Sequence, residues 1–213
     1  MVIFLIGSLP LFYWSIQYFF NNENVRLQDQ LRPFLFGVLA AVPAVLLYWA
    51  LDVYFKLSWK PLRLFFYTFM NKEGLIYIPI ILFLFFLYKP GKFRGIPLRE
   101  FTGWLCGYYT LFGIMETMIY RDALSGYQLI LLPVVRIITI LSASVLLGRS
   151  LTETDRTRRV VFRIFLALLP LVLNAVPLTD LMNLKGVMYP LLCLFGAASV
   201  SAWYLESVGK LPV

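Results

Sequence analysis

Seven stretches of this chain are almost uninterruptedly apolar and each is about as long as a bilayer core is thick: 2–20, 33–55, 62–88, 101–120, 127–147, 160–178 and 187–204. A helix needs about 20 apolar residues to cross lipid, because in hydrocarbon every backbone polar group must be satisfied within its own segment. Barrel strands would instead show segments of about ten residues with alternating polarity. The runs predict an all-α fold: a polytopic transmembrane bundle of about seven spanning helices, forming a single domain over residues 1–213.

Composition agrees. The 213 residues are 61% hydrophobic and only 14% charged, with a mean hydropathy of +0.79, against about 25% charged residues in soluble domains. The net charge of +8 fits basic loops beside anionic lipid, and no soluble basic module is present to bind nucleic acid. Both cysteines, Cys106 and Cys193, lie within apolar runs, where cysteine behaves as a small hydrophobe. Histidine is absent altogether, which removes the commonest zinc ligand and general base. No metal spacing is visible, and no cofactor is expected.

The opening MVIFLIGSLPLFYWSIQYFF lacks a basic leader and a small-residue cleavage site, so it reads as a first span rather than a signal peptide. The 27 residues of the third run contain 71-NKEG-74. A break is expected there, with 62–70 at the interface or re-entrant and Trp59 and Tyr67 near the headgroups. With the N-terminus outside, one set of loops carries eleven Lys and Arg, including Arg26, Arg32, Lys89, Lys92, Arg94, Arg99 and Arg149. The other set carries five: Lys56, Lys60, Arg63, Arg121 and Lys185. The positive-inside rule then predicts a cytoplasmic C-terminus. The expected location is a cell membrane, of the bacterial inner-membrane kind. The connector 149-RSLTETDRTRR-159 reads as solvated, and Arg163 as a snorkelling side chain.

Charge inside the spans is costly and marks a function or a partner. Lys72, Glu73, Glu116, Arg136 and Asn174 all fall within runs. Counted from the cytoplasmic ends at 1.5 Å per residue, they lie about 20–24 Å deep, in one layer. That layer is either a site or a charge-balanced network, Glu73 and Glu116 against Lys72 and Arg136, that fixes helix register.

In order along the chain, 9-LPLFYW-14, 34-FLFGVLAA-41, 72-KEGLIYIPIIL-82, 107-GYYTLFGIMETMIY-120, Arg136 with Gly148, and 170-PLVLN-174 form a pattern that resembles the PrsW-like intramembrane peptidases, distant relatives of the CAAX-processing membrane proteases. That family has a Glu-Glu pair, Glu-Asn-x-x-Tyr, an arginine followed by a histidine, and His-x-x-x-Asn. Here Glu73, Glu116, Tyr120, Arg136 and Asn174 match, whereas Thr117 replaces the asparagine, and Ser144 and Pro170 stand in the histidine places. The resemblance implies a protease scaffold whose water-activating residues are incomplete, and no zinc site can be built from what remains. The leading expectation is a non-catalytic membrane protein that binds or regulates another membrane protein or its transmembrane helix. An active glutamic-type protease using Glu73 and Glu116 is the alternative, and a small solute or ion transporter is the second alternative.

Overall fold

A computed structural model describes residues 8–20, 27–54, 60–87, 97–119 and 126–207. Arg26, Lys56, Trp59, Lys89, Lys92, Arg94, Tyr120, Arg121 and the first residues of the opening run lie outside them. Among the described residues every regular element is helical. The helices are α1 (Leu9–Phe20), α2 (Leu27–Tyr54), α3 (Pro61–Asn71), α4 (Tyr77–Leu82), α5 (Pro97–Ile119), α6 (Gly126–Thr152), α7 (Arg156–Leu173), α8 (Ala175–Leu181) and α9 (Lys185–Ser207). A 3-10 turn, Glu73–Ile76, precedes α4, and a π turn, Phe83–Leu87, follows it.

Five stretches are long and apolar enough to cross a membrane: Leu31–Val53, Pro61–Phe86, Leu131–Thr152, Arg156–Leu181 and Lys185–Leu205. Their outer faces carry large apolar side chains such as Leu39, Leu46, Trp49, Phe85 and Leu194. Water would penalise such a surface, while lipid accepts it. The chain is a multi-pass membrane protein by this measure.

The chain divides into two compact units, Met1–Leu46 with Ile78–Ile140, and Leu47–Tyr77 with Leu141–Val213. In the first unit α5 is buried on every side from Phe101 to Tyr109. Two glycines explain how α2 comes so close to it. A Cβ on Gly37 would overlap the Trp104 carbonyl oxygen, and one on Gly107 would overlap the Phe34 carbonyl oxygen. Small residues at such crossings let backbones approach closely enough for dispersion to hold helices together in lipid. α1 also packs on α5, and the Trp14 ring meets the Phe34 ring of α2 at 4.7 Å between centroids, tilted by 34°. The Trp104 indole donates to the Pro79 carbonyl at 3.0 Å, and Phe83 packs on Phe101 and Trp104 with ring centroids 4.8 and 5.7 Å away.

In the second unit the expected break is present. α3 buries Leu64, Thr68 and Asn71, an i, i+4, i+7 stripe. It stops at Lys72, whose φ of −132° and ψ of −77° are not helical. The 3-10 turn packs on α3 and α7, and α8 packs on α3 and α9. Asp155 caps α7, accepting from the Thr157 amide at 2.9 Å. Arg159 donates to the Glu153 carbonyl at 2.9 and 2.7 Å, so the most polar connector is an ordered turn. Ser142 and Ser199 share a hydrogen bond of 2.6 Å, linking α6 to α9.

Candidate functional site

In the first unit Tyr109, Phe112, Gly113, Glu116 and Thr117 recur at i, i+3, i+4, i+7 and i+8 of α5, one helical face. Opposite them α6 supplies Leu132, Pro133 and Arg136. These residues, Phe112 excepted, line with Pro10 of α1 a small cavity with room for about one water molecule. Glu116 and Arg136 are each 2% exposed. Nη2 of Arg136 donates to Oε1 and to Oε2 of Glu116, both at 3.3 Å. The guanidinium carbon also lies 5.4 Å from the Tyr109 ring centroid and 5.7 Å from that of Phe112. Both distances are within cation–π range. A charge that would be intolerable alone in lipid is thus met by an anion and two aromatic rings.

Thr117, in the place of the asparagine, turns its hydroxyl onto its own helix, donating to the Gly113 and Ile114 carbonyls at 2.9 Å each. Threonine in a helix commonly does this, and the bond removes the hydroxyl from competition for the cavity.

The other residues singled out from the sequence belong to the second unit. Glu73 is 1% exposed, Lys72 9%, Asn174 0% and Ser144 0%, and Pro170 is also buried. Asn174 Nδ2 donates to the Phe65 carbonyl at 3.2 Å, tying the hinge after α7 to α3. Ser144 Oγ has no hydrogen-bond partner among the described residues. Arg163 is exposed, as a snorkelling side chain would be.

Three residues were not marked by the sequence reading. Tyr109 and Phe112 were one pair among many aromatics, and only the α5–α6 contact distinguishes them. Asn71 stood inside 71-NKEG-74, and its complete burial follows from the stripe on α3. Among the described residues no three His, Cys, Asp or Glu side chains converge on a common point. Compared with protein-family models, with characterised proteins and with solved structures, the chain has no significant match.

Proposed function

We propose that this chain is a non-catalytic, PrsW-like scaffold that binds or regulates another membrane protein through its transmembrane helices. The observation that supports this reading most directly is the commitment of Glu116 to Arg136. A carboxylate held by a buried guanidinium that also contacts two aromatic rings serves packing and register, not proton transfer. The substitutions at Thr117, Ser144 and Pro170 and the lack of histidine point the same way. In this reading α1 and the less apolar, deeply buried α5 cross the membrane with the five apolar stretches, giving about seven spans. The N-terminus lies outside and the C-terminus inside a cell membrane, of the bacterial inner-membrane kind.

The test is purification of the tagged chain from its native membrane in a gentle detergent, with mass spectrometry and in-membrane crosslinking. The expected result is a stoichiometric membrane protein that loses its association when Glu116→Gln loosens the first unit. A solitary chain that also cleaves membrane-anchored substrates, with cleavage abolished by Glu73→Gln or Glu116→Gln, would replace the scaffold with the protease.

A further inference from the structure

The second unit contains a polar centre that the Glu116–Arg136 pair does not use. Two of its apolar stretches are irregular part-way along. Pro61–Phe86 turns at Lys72, and Arg156–Leu181 is interrupted between α7 and α8 at Asn174, flanked by Pro170 and Pro177. Proline has no N–H, so the Leu166 and Leu173 carbonyls lack their usual helical donors. In a bilayer such backbone persists only where it is buried in protein or lines a polar cavity.

Two hydrogen bonds set the register between these irregular points. Asn174 Nδ2 reaches the Phe65 carbonyl, and the Tyr77 hydroxyl donates to the Ala167 carbonyl. Residue 65 is therefore tied to 174 and residue 77 to 167, and Asn71–Glu73 are bracketed beside residues 168–173. The packing of the 3-10 turn on α7 is consistent with that placement. Asn71 closes the buried stripe of α3, and a helical side chain leans towards its helix N-terminus, here over Tyr67 and Thr68.

The chemistry of this place is oxygen-rich. Asn71 is 0% exposed, and among the described residues neither its Oδ1 nor its Nδ2 has a hydrogen-bond partner; Asn174 is 0% exposed, and its Oδ1 has none either. Such groups are expensive to leave unmet. Beside them stand the Glu73 carboxylate, 1% exposed, and the Leu173 carbonyl freed by Pro177. α3 and α7 both end here, and a helix C-terminus carries partial negative charge. Hard oxygen donors without nitrogen or sulfur suit alkali cations and not transition metals. Unwound carbonyls beside helix C-termini are a known way to hold such ions within membranes.

We infer that the paired irregularities at Lys72 and Asn174 form a binding site for one small monovalent cation of the Na+ or K+ class, coordinated by oxygens of Asn71, Asn174 and Glu73. The neighbouring Lys72 offsets the formal charge of Glu73, so the ion is held weakly and exchanges. The site belongs to the second unit and does not depend on the partner reading above.

The experiment is thermal unfolding of the full chain in detergent, titrated with NaCl, KCl or N-methylglucamine chloride at constant ionic strength. The unfolding midpoint is expected to rise saturably by a few degrees with Na+ or K+ relative to N-methylglucamine. Asn71→Asp adds a ligand charge and is expected to lower the half-saturating concentration about tenfold. Asn174→Ala is expected to abolish the dependence, and if that variant does not fold, Asn71→Asp and Glu73→Gln decide, with opposite shifts in half-saturation. Superimposable curves in the three salts for both wild type and Asn71→Asp would overturn the site. A partner that fails to copurify bears on the scaffold alone.

Discussion

A single nitrogen of Arg136, Nη2, lies 3.3 Å from both carboxylate oxygens of Glu116. Charge-assisted hydrogen bonds between such groups are typically 2.7–2.9 Å, and the strongest arginine–carboxylate pairs use two nitrogens in parallel. The contact here is longer and pivots on one atom. It neutralises two buried charges and ties α5 to α6, and Tyr109 and Phe112 add cation–π contacts to the guanidinium.

Removing one member of this pair strands the other in a low-dielectric interior. Glu116→Gln and Arg136→Met are each expected to destabilise the fold by about 3–5 kcal/mol. The double variant Glu116→Gln/Arg136→Met should lose clearly less than the sum, because no charge is left without a counterion. Thermal unfolding of the four proteins in detergent measures the coupling. Additive losses would show that the two residues act independently.

Gly107→Ala and Gly186→Ala form a matched contrast. At Gly107 the added methyl meets the Phe34 backbone, whereas at Gly186 nothing lies within 4 Å. Gly107→Ala should sharply lower folded yield by forcing α2 from α5. Gly186→Ala should be neutral, or stabilise by up to about 1 kcal/mol through helix propensity. Size-exclusion profiles and unfolding midpoints distinguish the two.

Trp104→Phe keeps the ring but deletes the indole N–H that binds the Pro79 carbonyl. Leaving that buried acceptor unmet should cost about 1–3 kcal/mol. Infrared spectra of a chain labelled with a carbonyl isotope at Pro79 would register the lost bond directly. An unchanged carbonyl band would show that the contact carries no weight.

Asp155→Ala removes the cap of α7 and should cost about 1 kcal/mol, whereas Asp155→Asn, also a good cap, should cost much less. The unfolding midpoint reports the difference. Equal losses in both variants would assign the effect to charge instead of capping. The Arg158–Asp155 contact, at 3.7 Å with both side chains more than half exposed, should add little beyond the cap.

Much of the fold is legible in sequence because lipid imposes a simple rule: apolar length sets helix length. The break at 71-NKEG-74 was equally legible, since charge and glycine together interrupt an apolar run. The interruption at Asn174 is legible only in its flanking Pro170 and Pro177, which lack the N–H a helix needs; Asn174 itself keeps helical backbone angles, φ −61° and ψ −18°. α5 is legible as the run 101–120, although Arg99, Glu100, Thr102 and Glu116 dilute its apolar signal; that its centre is enclosed on every side is not. Its glycines could be seen, but not which backbone each would meet.

By itself the sequence determined that the chain is helical and apolar enough to cross a membrane several times, and that charged residues lie inside its apolar runs. Those properties are additive along the chain, residue by residue. Tertiary structure alone decided that Glu116 meets Arg136, that the Tyr109 and Phe112 rings contact that guanidinium, and that Asn71 is buried with its amide unmet among the described residues. Such pairings depend on which helix faces oppose one another, and that is fixed by close backbone approach at residues such as Gly37 and Gly107, not by hydropathy.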